Sequence, residues 1–261
     1  MHSALLRVHL WQREQNADLV LNLSQLGLEA LPALPRGLKR LLCFENRLTA
    51  LPPLPPGLET LHCNNNQLTA LGNLPPTLQI LQCHTNLLTT LGALPPELTA
   101  LGCQGNALTA LGELPPRLAW LMCSANALTA LGELPLTLQS LSCGHNALTR
   151  LPPLPPSLNF LYCQHNALTL LPPLPGNLMY LLCNGNPLRW LPALPPALLH
   201  LTCDAGTALP EACPCPETTL TFSDGDGDNN DATPAWAAGM RAQHWAARCM
   251  TPLPPAAMLY V

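Results

Sequence analysis

Two kinds of side chain that could do chemistry recur at one spacing in this 261-residue chain. Nine of the twelve cysteines, Cys43 through Cys203, stand 20 residues apart. Eight asparagines keep the same step: Asn46, Asn66, Asn86, Asn106, Asn126, Asn146, Asn166 and Asn186. A thiol column has three possible chemistries: disulfide formation, metal binding and redox exchange. Pairing is disfavoured, because in-register cysteines on parallel strands point the same way, a poor geometry for a bridge. Cysteine also behaves as a small hydrophobe, and a core packing role is the expectation. His145 and His165 hold equivalent places in adjacent repeats, about 5 Å apart if each repeat contributes one strand. Such a pair either repels when protonated or holds a metal, although two surface histidines with neither role is the plainer reading. Asp224, Asp226 and Asp228 match the first half of a calcium loop. The match fails at Asn229, where glycine is needed, and at Ala235, where glutamate is needed, so a solvated acidic loop is expected. Cys203, Cys213, Cys215 and Cys249 have no recognisable zinc spacing and are read as thiols of the terminal region. No serine, histidine and carboxylate converge in the pattern, so catalysis is not expected.

The elements that position these residues follow from the repeat itself. From Leu21 to His200 the chain repeats L-x-C-x-x-N-x-L-T-x-L-[PG]-x-L-P-P-x-L-x-x without insertion. A fixed period of this length, with leucines and asparagine so spaced, predicts a leucine-rich repeat solenoid of the α/β horseshoe class. The L-x-C segment is the predicted strand, with leucine and cysteine pointing inward. Asparagine follows where the chain turns inward, because a carboxamide can satisfy amides and carbonyls left without ladder partners. Proline recurs at the fifteenth position, from Pro35 to Pro195. Since proline breaks helices, the convex side is predicted to be extended or polyproline II-like. Three regions are expected: a helical N-terminal cap over 1–20, a repeat array over 21–205 with nine repeats and a partial tenth, and a C-terminal cap and tail over 206–261. Within the last, Thr233 and Pro234 read as a helix start.

Composition removes several function classes. Net charge is −4 and there is no basic stripe, which disfavours nucleic-acid binding. No apolar run reaches membrane-span length. Arg7 and His9 interrupt the start, which makes a poor secretory signal and points to reduced thiols in a reducing compartment. No cofactor is expected. The 31 prolines would ordinarily suggest disorder, but regular leucines supply a buried column.

The repeat wording is more specific than a generic leucine-rich repeat. The run Leu51-Pro-Pro-Leu-Pro-Pro-Gly-Leu58-Glu-Thr-Leu61, followed by Asn66-Gln-Leu-Thr69, resembles the bacterial effector subfamily of YopM and IpaH-type repeat domains. The resemblance covers roughly residues 20–205 and implies concave parallel strands, a helical N-cap and recognition of proteins, often in a host cell after type III secretion. It departs from the family at the cysteines and at Gly72, Gly92, Gly112 and Gly132, which replace proline. The IpaH-type ligases also carry a nucleophilic cysteine in a Cys-x-Asp setting. None of Cys213, Cys215 and Cys249 has aspartate two residues on, so that activity is not carried over. A cytoplasmic protein, or one secreted without a cleavable signal, is expected.

If the repeats fold this way, binding lies in their variable positions. The outward positions flanking the inward leucine and cysteine, with the one at the strand's end, hold Arg40, Phe44, His62, His84, Trp120, Met122, Phe160, Tyr162, Gln164, His165, Tyr180 and His200. Four of the six Phe and Tyr residues fall here. Aromatics, Met and Arg with little Lys or Glu mark interface hot spots, although strand propensity also favours aromatics. The expectation is a non-enzymatic module that binds a partner protein on its concave face. A truncated relative of the effector ubiquitin ligases is the alternative. A third, remote reading is ice binding by the threonine ladder Thr49 to Thr169, but that ladder has one rank where ice-binding solenoids generally use two.

Overall fold

A computed structural model describes residues 2–14, 20–210 and 219–223, all within one compact unit, Met1–Gly225. It begins with helix α1 (His2–Glu14). Strands β1 (Val20–Asn22), β2 (Arg40–Leu42), β3 (Thr60–His62), β4 (Ile80–Gln82), β5 (Ala100–Gly102) and β6 (Trp120–Met122) follow at a 20-residue step. The series continues with β7 (Ser140–Ser142), β8 (Phe160–Tyr162), β9 (Tyr180–Leu182), β10 (His200–Asp204) and β11 (Thr219–Ser223). All eleven form one sheet in sequence order. Every pairing is parallel and in register, as in Leu41 beside Leu61 and Leu61 beside Leu81.

The regular strand begins one residue earlier than L-x-C and stops before the cysteine. The cysteine amide still joins the ladder: Cys43 donates to the His62 carbonyl at 2.8 Å. The chain then bends inward, and the fifth residue of all nine repeats, from Gln25 to Gly185, takes positive φ. Most of these are not glycine, including His145 and His165. The left-handed turn is therefore imposed by the repeat, against the local preference of the side chain.

Asparagine makes that turn tolerable. Asn66 Oδ1 accepts from the Leu48 amide of the preceding repeat at 3.0 Å. Its Nδ2 donates to the carbonyls of Cys43 and Cys63, both at 3.0 Å. One side chain thus joins two turns, and Asn86 through Asn186 repeat the arrangement. Inside, the leucines before and after each turn and the cysteine between them are almost fully buried, in one continuous cluster from α1 to β10.

The convex return is non-helical, as proline requires. Each L-P-P-x-L closes a tight turn in which the last leucine donates to the first proline carbonyl, for example Leu58 to Pro55 at 3.1 Å. The second proline sits at the turn position where its fixed φ is favoured. The four glycine repeats differ from the proline repeats: Gly72, Gly92, Gly112 and Gly132 have φ of 70° to 76°. Proline is locked near −65°, so these repeats take a different convex path.

The two ends close the array differently. Helix α1 buries Ala4 and Val8, with Trp11 packed beside them, whereas Leu5, Leu6 and Leu10 are about half exposed. Spacings of 4 and 7 select one helical stripe, and the three leucines fall off it. At the other end an added strand extends the sheet: β11 pairs with β10 over five residues, from His200 beside Thr219 to Asp204 beside Ser223. Asp224, Asp226 and Asp228, Cys213, Cys215 and Cys249, and the helix start at Thr233 lie outside the described residues.

Candidate partner-binding face

Alternation along each short strand decides which side chains face out. The second residue of every strand from β2 to β10, Leu41 through Leu201, is a fully buried leucine, and its two neighbours lie on the opposite side of the sheet. In-register pairing then aligns those neighbours into columns. One column runs Ala100, Trp120, Ser140, Phe160, Tyr180, His200. The parallel one runs Gly102, Met122, Ser142, Tyr162, Leu182, Thr202.

The C-terminal half of this face carries a ring stack. Phe160 and Tyr180 have centroids 5.2 Å apart and near-parallel planes. His200 extends the row of rings, its plane tilted by 33° at 5.8 Å from Tyr180. All three rings are half-buried, so one side of the stack stays open to a partner. Beside it, the rings of His145 and His165 stack at 4.4 Å. Burial and the neighbouring His165 lower the pKa of His145. No charged residue occupies either column from Ala100 to Thr202.

The N-terminal half is different, and one predicted contact residue is corrected there. His62 is only 2% exposed, so it lies beneath the accessible face. It sits in register between Leu42 and Gln82. Burial first, and the adjacent His84 second, push its pKa down to about 4. His84 is half-buried and also lowered by burial. Arg40 is exposed, and Phe44 half-buried. Asn64, between Phe44 and His84 in sequence step, is fully buried. Both of its side-chain polar atoms lack hydrogen-bond partners.

Small residues shape this face in a way that side-chain type alone did not reveal. A Cβ on Gly144 would come within 2.7 Å of the Gln164 amide, and one on Gly185 within 2.5 Å of the His165 ring. Gly102 makes room for Gln82 in the same manner. Each long side chain therefore leans across a glycine of an adjacent repeat. The signal was present in the sequence as glycine one register away from Gln or His. Asp204 was also missed: its carboxylate accepts from the Gly185 amide at 2.9 Å and the Asn186 amide at 3.3 Å. It terminates the turn ladder where Gly206 has replaced asparagine.

The cysteine column offers no accessible nucleophile. Cys43 through Cys203 are buried free thiols. Burial raises their pKa values, to about 12 for Cys63, Cys103 and Cys163. Among the described residues no group of three His, Cys, Asp or Glu is placed to hold a metal ion, and no helix is long and apolar enough to cross a membrane.

No protein-family model and no curated protein matches the sequence. Solved structures do. YopM from Yersinia enterocolitica WA-314 is similar at 36% identity and a TM-score of 0.69, over 85% of this chain and 54% of that one. This chain therefore spans about half the length of that relative. YopM, the leucine-rich effector protein from Yersinia pestis, is similar at 31% identity and a TM-score of 0.71, over 84% of this chain and 70% of that one. The functional domain of InlJ from Listeria monocytogenes, which includes a cysteine ladder, is similar at 27% identity and a TM-score of 0.56, over 72% of this chain and 48% of that one. With the same repeat, the same parallel sheet and this identity across most of its length, the chain belongs to the YopM family of bacterial leucine-rich repeat effector proteins.

Proposed function

We propose that this chain is a non-catalytic protein-binding module whose concave face, from Trp120 to His200, holds a partner protein. The observation that carries this reading is the open row of rings, Phe160 stacked on Tyr180 with His200 tilted beside it, on a face whose two central columns hold no charged side chain from Trp120 to Thr202. Core residues point inward, so the fold itself has no need for these rings. Rigid aromatic side chains, already ordered by stacking, lose little entropy when they meet a partner. Its relatives include leucine-rich effectors of Yersinia, which supports a role as an effector or adaptor acting through a host protein.

The experiment is affinity capture with the purified chain and a variant in which Trp120, Phe160, Tyr162 and Tyr180 are all alanine. Circular dichroism and the unfolding midpoint verify that the variant folds. The reading expects a partner retained by the parent chain and lost by the variant. Equal recovery by a folded variant contradicts it.

A further inference from the structure

The ring column on the concave face has one missing rung. Successive strands of a sheet lie about 4.8 Å apart, and the rings at 160, 180 and 200 fill successive strands with centroid spacings of 5.2 and 5.8 Å. Ser140 pairs directly with Trp120 on one side and Phe160 on the other. In the second column Ser142 stands between Met122 and Tyr162 in the same way. Strand β7 is therefore a trough of small residues between two tall walls. The walls are two strand spacings apart, about 10 Å. Aromatic pairs hold their centroids about 4.5–7 Å apart, so one ring fills this gap and two do not. Ser140 and Ser142 remain half-buried, which leaves the trough open along its floor. Its far end is closed over Gly144 by the Gln164 amide.

The chemistry of the trough narrows what can enter. Ser142 Oγ lies 2.8 Å from Ser124 Oγ, so the floor carries hydroxyl oxygens with capacity to accept. Gln164 Oε1 is buried without a hydrogen-bond partner and is a further acceptor at the closed end. No Lys, Arg, Asp or Glu occupies the outward columns from Ala100 to Thr202. A charged side chain would lose its hydration there with nothing to pair with, so charge complementarity selects a neutral group. An uncharged ring with an O–H donor meets all three requirements.

We propose that strand β7 forms a socket for a single tyrosine side chain of the partner, seated between Trp120 and Phe160 and over Ser140 and Ser142. This rests on the concave-face reading above and names what the face recognises. A tyrosine ring completes the row of rings from Trp120 to His200, and its single phenol O–H donates to one acceptor of the floor or end wall. Phosphorylation of that tyrosine brings two negative charges to a site with no cation, and so opposes binding.

The test is a titration of the full chain with the blocked peptide Ac-Ser-Thr-Tyr-Thr-Ser-NH2, read by tryptophan fluorescence and by NMR shifts of the Ser140, Ser142 and Trp120 resonances. Saturable shifts confined to this strand and its neighbours are expected. Affinity should fall about tenfold or more when alanine replaces the tyrosine, and also when the tyrosine is phosphorylated. The S140F variant fills the rung with a ring of its own, at an outward position that leaves the core intact, and should abolish binding. S140A should retain it. Absence of saturable shifts overturns the socket, as does equal affinity for the alanine peptide or undiminished binding by folded S140F. Partner capture separates the two levels. If the four-alanine variant loses the partner while S140F keeps it, the face binds but the socket is wrong. If both keep it, the concave-face reading falls as well.

Discussion

At the scale of single residues, asparagine does most of the work of joining one repeat to the next. Asn126 accepts from the Leu108 amide at 3.0 Å and donates to the Cys103 and Cys123 carbonyls, each at 3.1 Å. Asn126→Leu strips partners from main-chain groups in two adjacent turns at once. Each buried group left unsatisfied costs about 1–3 kcal/mol, so a loss of roughly 2–4 kcal/mol is expected by urea denaturation. A change under about 0.5 kcal/mol would show that water replaces the carboxamide without penalty. His62 carries a different signature. Its folded pKa of about 4 lies below the usual value of 6.5 for histidine. Between pH 6.5 and 4 the unfolded chain takes up a proton that the folded chain refuses, so this residue lowers stability as pH falls through that window. His62→Gln should flatten that part of the stability profile, measured as urea midpoints from pH 7 to pH 4. An unchanged slope would assign it to other groups.

The repeat as an element was legible almost whole. Its period, buried leucines, inward turn and non-helical convex return all follow from spacing, because proline and leucine permit few alternatives at those positions. The strand boundary was one residue off, since main-chain pairing, which decides it, leaves no mark in side-chain type. The two convex conformations were flagged by glycine in place of proline, but positive φ at Gly72 and its equivalents emerges only from the backbone. A deviation in one repeat gives a direct test. Leu136 replaces the second proline of the convex turn and is 77% exposed, although the turn still closes from Leu138 to Pro135 at 3.1 Å. Leu136→Pro should stabilise by about 0.4–1 kcal/mol by restricting the unfolded chain. A loss of stability would mean that this turn differs from its neighbours. The cysteine column makes a further prediction. Nine buried, protonated thiols should resist a thiol reagent such as DTNB in the folded state and react together once the chain unfolds. Rapid labelling of Cys103 or Cys123 in native buffer would contradict the packing role.

At the scale of the whole molecule, the solenoid separates stability from recognition. Buried letters of the repeat are nearly constant, whereas the outward letters vary, and in-register stacking gathers those variable letters onto one face. The ring column could be listed from the sequence because the repeat phase was known. The burial of His62 could not, because it depends on which neighbour leans across the next strand; the glycine clearances left only the pattern of glycine one register away from Gln or His, without the direction of lean. A partner seated on the concave face covers its rings. Hydroxyl-radical footprinting of the captured complex tests it most directly. Trp120, Met122, Tyr162 and Tyr180 should be protected in the complex. Trp190, 58% exposed and outside the two concave columns, should react as it does in the free chain. Protection of Trp190 with unchanged reactivity at Trp120, Tyr162 and Tyr180 would place the partner elsewhere and contradict concave-face binding.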